Sequence, residues 1–143
     1  MTLPTTKPPA IPTTPPHMRP GEVALFRRFL KMDPLPDSDY TFDLHLGRGG
    51  PTDPTWPAWL RDMATRLTQK RVDVIAHNPS GWWLLEMKVR AGPGAVGQLL
   101  TYRTLFRQQF PDRQPLHLAI VADRNAFDMA STYAQFGIRL FLV

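Results

Sequence analysis

Residues 71–90 read RVDVIAHNPSGWWLLEMKVR, two apolar runs joined by Asn-Pro-Ser-Gly. Apolar runs of this length flanking turn residues predict a β-hairpin, with strands at 71–77 and 82–89. Pro79 and Ser80 take the centre of a four-residue turn, so Asn78 faces Gly81 and His77 faces Trp82. Without a bulge, the same register sets Asp73 opposite Glu86. Facing side chains share one face of a sheet, with Cβ atoms roughly 4.5–5.5 Å apart, and Lys88 joins that face two residues on. The other face then holds Val72, Val74, Ala76, Trp83, Leu85, Met87 and Val89. Two opposed carboxylates repel, so such a pair persists when a cation sits between them or one keeps its proton.

Oxygen ligands in a chain without cysteine suit Mg²⁺ or Mn²⁺ rather than Zn²⁺. A lysine beside them can hold a phosphate or the attacking water, the layout of metal-assisted phosphodiester hydrolysis. The plainer alternative for the same residues is a salt-bridged triad on a solvated face.

Residues 1–20 hold seven of the sixteen prolines, with threonine between them. Proline lacks the amide donor and fixes φ, so this stretch reads as an extended, polyproline-like arm before a single domain at 21–143. GEVALFRRFLKM (21–32) places Val23, Phe26 and Leu30 on one helical stripe. YTFDLHL (40–46) alternates as a strand, with Tyr40, Phe42, Leu44 and Leu46 on its buried face. TWPAWLRDMATRLTQ (55–69) reads as a helix with Thr55 as N-cap, Pro57 in its first turn, and an apolar stripe of Trp59 or Leu60, Met63 and Leu67. A helix over 94–110 follows the hairpin. PLHLAIVA (115–122) is a near-continuous apolar run, as a central strand requires. Residues 123–136 read as a helix capped by Asp123 and stopped by Gly137, and IRLFLV closes the chain as a strand. The order α-β-α-β-β-α-β-α-β predicts an α/β fold, a central mixed β-sheet flanked by helices.

The 143 residues carry a net charge of +5, and between Arg61 and Arg113 nine Lys or Arg stand against four acids. The hairpin therefore lies in the basic part of the chain, which favours an anionic partner such as nucleic acid. The lack of cysteine excludes disulfides and thiolate metal sites, and fits the host-cell cytoplasm or a virion better than a small secreted protein. No segment is apolar for long enough to span a membrane, and the N-terminus lacks the pattern of a signal peptide.

Asp73 on one strand and Glu86-Met87-Lys88 on the next resemble the motif of the PD-(D/E)XK nuclease superfamily. Gln98 and Tyr102, one turn apart on the following helix, resemble the Q-x-x-x-Y element of its RecB-like branch, near the Holliday-junction resolvases. The chain departs from the pattern in having Val72, not proline, before Asp73. The resemblance implies a restriction-endonuclease-like core and a metal-dependent DNA endo- or exonuclease. Asp73, Glu86 and the main-chain carbonyl of Met87 would be ligands of Mg²⁺ or Mn²⁺. Lys88 would orient the water, and Gln98 and Tyr102 would support the phosphate. Glu22 is the candidate for the further acid some members place on the first helix, although it also fits as a first-turn acid favoured by the helix dipole.

Arg90, Arg103 and Arg107 are candidate phosphate contacts, the last two also fitting a solvated helix face. Trp82 and Trp83 could stack on a base, but core packing suits them better. His45 and His77 could flank the site, and a structural role fits them better. Neither GRGG (47–50) nor GPGAVG (92–97) is a P-loop, since no Gly-Lys-Ser/Thr follows. A rival reading makes the chain a structural component of a phage head–tail or tail assembly, with residues 1–20 lying along a neighbouring virion protein. A third is a DNA-binding module that does not cut. At this size one subunit covers little DNA, so an oligomer is expected.

Overall fold

A computed structural model describes residues 18–143. The elements are α1 (Pro20–Met32), β1 (Asp39–Leu46), α2 (Ala58–Thr68), β2 (Lys70–Asn78), β3 (Gly81–Ala91), α3 (Pro93–Gln109), β4 (Leu116–Asn125), α4 (Ala130–Gln135) and β5 (Ile138–Leu142). The strands form one mixed sheet in the order β1-β2-β3-β4-β5. β1, β2 and β3 run antiparallel to one another, while β3, β4 and β5 run parallel. The α/β class and the element order are as the sequence predicts.

Two cores cover the two faces of the sheet. On one, Val23, Phe26 and Phe29 of α1 pack on Val74, Ala76, Trp83, Leu85, Met87, Ala119 and Val121. On the other, Val96, Leu99, Tyr102 and Phe106 of α3, with Tyr133 of α4, pack on Ile75, Leu84, Leu118 and Ile120. β3 lies mid-sheet between β2 and β4, so its residues are apolar on both sides, and Leu84, Leu85 and Met87 are fully buried.

The hairpin turn keeps the expected register, with Asn78 opposite Gly81 and each pair down to Val74 opposite Leu85. Ser80 N–H donates to Asn78 Oδ1 at 2.9 Å, the Asx turn that makes Asn-Pro-Ser a reversal signal. Gly81 has φ +123, and a Cβ there would sit 2.5 Å from the Pro115 carbonyl oxygen, so only glycine fits.

Four expectations need correction. Asp123 does not cap a helix, because β4 continues through Arg124 and Asn125 by pairing with Arg90 and Ala91 of β3, and α4 starts only at Ala130. Thr55 is not the N-cap of α2, since its amide and hydroxyl both donate to Asp53 Oδ1 and Pro57 takes that position. Tyr40 and Phe42 face the α1 core, but Leu44 and Leu46 face the α3 core, and Val72 and Val74 divide in the same way. The switch falls at Asp43, whose φ of +53 is left-handed, and at Asp73 opposite it; neither joins the β1–β2 ladder, whose pairs continue on both sides. A short polar side chain such as Asp tolerates that conformation. Val89, placed by the sequence on the apolar face of the hairpin, is 41% exposed.

α2 buries no residue, and Trp59 and Leu67 of its apolar stripe are each 67% exposed. It is held mainly at its C-terminal end. Gly50 N–H donates to Thr68 Oγ1 at 2.6 Å, and Gln69 Nε2 donates to the Gly47 carbonyl at 2.7 Å. Of the proline-rich stretch, Met18 is buried against α1's core and Pro20 is the first residue of α1, where proline's fixed φ suits a helix start. Residues 1–17, and with them most of the expected arm, lie outside the described residues. No helix among the described residues is long and apolar enough to cross a membrane.

Candidate active site

The β2–β3 ladder stops at Val74–Leu85, one step short of Asp73 and Glu86. The two strands part there. The Asp73 carboxylate instead takes a hydrogen bond from the main chain of Met87. The strict opposition of the two acids expected from sequence is thus replaced by a fork. Its mouth is a cleft of about 560 Å³, lined by Arg19, Gly21, Glu22, Asp73, Glu86, Lys88, Val89, Arg90, Gln98 and Tyr102.

Each wall has its own origin. β3 alternates, so Met87 points into the α1 core while Glu86 and Lys88 point toward α3. Helical spacing puts Gln98 and Tyr102 on one face of α3, where Gln98 Nε2 donates to the Tyr102 hydroxyl at 3.5 Å. The α1 start closes the third side. A Cβ on Gly21 would lie 3.3 Å from Val89 Cγ2, which shows how closely the helix approaches β3.

Glu86 is the only charged side chain among the buried residues described, 3% exposed. Its Oε1 meets Lys88 Nζ at 3.3 Å, whereas its Oε2 is buried with no hydrogen-bond partner among the described residues. Burial, then the Asp73 charge, pushes its carboxyl up to about 8 despite Lys88. Asp73 rises to about 6, through burial first and the Glu22 charge second. Tyr102 rises to about 12, through burial and then the charges of Glu86 and Asp73. All three shifts express one condition, excess negative charge in a poorly solvated place. An inserted cation would relieve it.

The donors are oxygens of Asp73 and Glu86, which a hard divalent cation accepts. Among the described residues no three His, Cys, Asp or Glu side chains converge as a ligand set, so a cation would complete its shell from main chain, water and substrate. Glu22 lines the cleft but also caps α1, its Oε2 accepting the Arg19 N–H at 3.0 Å.

Of the candidate phosphate contacts, Arg90 lines the cleft, whereas Arg103 and Arg107 sit on α3 outside its lining. Arg19, Gly21 and Val89 line it without having been singled out by the sequence. Their signal was masked, since Arg19 stands within a proline-rich stretch and Val89 fits a core pattern. The histidines take structural places. His77 stacks on Trp82 at 3.9 Å and His45 Nε2 meets Asp43 Oδ2 at 3.3 Å. The guanidinium of Arg113 also lies against Trp82, 4.6 Å from the ring centroid. That indole is packed by its own neighbours, and Trp83 is buried in the α1 core.

No known protein-family model and no curated protein matches the sequence. Solved structures do. The structure of EndoMS in complex with double-stranded DNA is similar over 88% of this chain, at 17% identity and a TM-score of 0.53. A repair endonuclease from Pyrococcus abyssi is similar over 88% of this chain, at 15% identity and a TM-score of 0.49. The likeness covers 46% and 47% of those two chains, so this chain spans about half their length. The fold, a mixed five-stranded sheet flanked by helices, is therefore one that this chain shares with the EndoMS structure.

Proposed function

We propose that the chain is a metal-dependent nuclease that hydrolyses phosphodiester bonds in DNA at the β2–β3 fork. The observation that carries this reading is the buried, partnerless Oε2 of Glu86, set beside Asp73 and Lys88 at the mouth of an open cleft. A purely structural triad would satisfy that oxygen, because a buried polar atom left unpaired costs roughly 1–3 kcal/mol. The EndoMS likeness adds that this fold accommodates duplex DNA in another protein.

Asp73, Glu86 and the Met87 carbonyl would hold Mg²⁺ or Mn²⁺, which when bound would supply Lewis acidity to the phosphate and acidify a water. Lys88, 3.3 Å from Glu86 Oε1, would set its ammonium where negative charge grows on the phosphoryl oxygens. Tyr102, held protonated by its surroundings, can donate a hydrogen bond from its hydroxyl. Gln98 orients that hydroxyl.

The test is cleavage of labelled linear, nicked and branched DNA with Mg²⁺, Mn²⁺ or chelator, comparing wild type with Lys88→Ala. Metal-dependent cutting that disappears in the variant is the expected result. No cutting by wild type under any of these metals sinks the reading. The phage-assembly role rests on residues 1–20, of which 1–17 lie outside the described residues, and draws no support from the rest of the chain. A DNA-binding module without cleavage predicts salt-sensitive binding that is indifferent to metal.

A further inference from the structure

The cleft holds more positive charge than the nuclease motif accounts for. Glu22, Asp73 and Glu86 gather there against Lys88, a balance that would repel a polyanion, and Arg19 and Arg90 offset it. Arg19 is the unexpected member. It stands at the N-cap of α1, with φ −71 and ψ 155, and its side chain makes no cap hydrogen bond. An N-cap favours Ser, Thr, Asp or Asn, and a cation at a helix N-terminus opposes the helix dipole. Helix formation therefore gives no reason for arginine at this position. A residue that breaks a local rule inside a cleft is where a functional demand shows.

The backbone of Arg19 is pinned from both sides. Its carbonyl accepts the amides of Glu22 at 2.9 Å and Val23 at 3.0 Å, its own amide donates to Glu22 Oε2, and Met18 before it is buried. Pro20 after it fixes the first helical φ. The nearest acid in sequence, Glu22, thus spends an oxygen on the main chain of Arg19. Among the described residues the Arg19 guanidinium has no ion-pair partner. The result is an exposed, unspent guanidinium on a rigid root, and the close approach of Gly21 to Val89 sets that root beside the β3 strand that carries Arg90.

We propose that Arg19 is a substrate-binding residue that, with Arg90, grips backbone phosphates of the DNA strand flanking the one cut at Asp73, Glu86 and Lys88. This rests on the nuclease reading above. A guanidinium suits the task, since its fork of donors matches phosphate oxygens in pairs. A contact of this kind acts on ground state and transition state alike, so it lowers KM rather than raising kcat.

The test compares wild type, Arg19→Ala, Arg19→Lys and Arg27→Ala, the last an exposed arginine on the same helix outside the cleft. Binding of a fluorescent duplex is followed by anisotropy in chelator, where nothing is cut, across a salt series. Arg19→Ala should weaken binding about 5- to 10-fold and reduce the slope of log K against log salt by about 1, the share of one phosphate contact. Arg27→Ala should change binding less than about 2-fold, and Arg19→Lys should keep the slope. With Mg²⁺, Arg19→Ala should raise KM and leave kcat near wild type. Equal losses for Arg19→Ala and Arg27→Ala overturn the proposal, since general charge would then explain both. So does a wild-type protein that cuts DNA while Arg19→Ala matches it in KM and salt slope, and that outcome leaves the nuclease reading standing. A wild-type protein that neither binds nor cuts removes both.

Discussion

The two ends of the β2–β3 hairpin lie on the same two strands and differ in almost everything else. At the turn end a net of hydrogen bonds ties the reversal to its neighbours. Trp83 Nε1 donates to Ser80 Oγ at 3.0 Å, His117 Nε2 donates to the Ser80 carbonyl at 2.9 Å, and the Trp82 amide donates to the Pro115 carbonyl at 2.8 Å. At the fork end the ladder has stopped, Glu86 Oε2 has no partner, and two carboxyls sit far above their ordinary range. One end is satisfied and closed, while the other is charged, unsatisfied and open to a cleft. Stability and chemistry are segregated along about ten residues of two strands, and substitutions at each end should move different quantities.

The largest expected effect is at the fork. Lys88→Ala should lower DNA cleavage by about 10²–10³-fold, as loss of one stabilising charge does. Its melting temperature should stay near wild type, because Lys88 is partly exposed and a pair of this kind contributes little to folding. A variant that unfolded instead would erase the division of labour. At the turn, Gly81→Ala should do the reverse. Its Cβ meets backbone rather than a flexible side chain, so about 2–3 kcal/mol of stability should be lost in urea denaturation, with specific activity of the folded fraction retained.

The pH dependence of stability sharpens the contrast. Glu86 binds its proton more tightly folded than unfolded, so folding gains from the protonated form at low pH. That gain disappears as pH rises from the ordinary carboxyl range to about 8, and Asp73 adds the same trend up to about 6. Metal-free wild type should therefore lose stability between pH 5 and pH 8, the direction opposite to a salt-bridged carboxylate. Glu86→Gln should flatten the profile and exceed wild type at pH 8 by about 1–2 kcal/mol, read by chemical denaturation in chelator. The smallest effect is at the turn's aromatic stack. His77→Ala should cost about 0.5–1.5 kcal/mol and leave cleavage unchanged.

The turn end was legible in the sequence because it is local. Asn78, Pro79, Ser80 and Gly81 fix a tight reversal, and a register follows from it by counting. The same count brought Asp73 and Glu86 to one place, helical spacing put Gln98 and Tyr102 on one face, and only the resemblance to the nuclease motif linked that face to the acids. What local periodicity could not show was the divergence of the strands at Asp73 or the face switch at Asp43, both set by how β1, β2 and β3 pair across the sheet. Nor could it separate α1 from α2. Each carries an apolar stripe, but only the residues of α1 are buried, and that depends on which face of the sheet remains to be covered. Asp123 was misread for a related reason: pairing of Arg124 with Arg90 outweighs a cap signal.

An 11-residue helix is marginal in water, and α2 draws its support from the loop at one end and from no buried side chain. It should therefore open at a free energy well below that of the whole domain, with its amides exchanging with solvent while those of β3 and β4 remain protected. The tryptophans are placed to report the two events separately. Trp56 and Trp59 lie at α2, and Trp82 and Trp83 lie in the hairpin. Their combined emission in a denaturant titration should shift in two stages, an early change at α2 and a later one when the sheet comes apart.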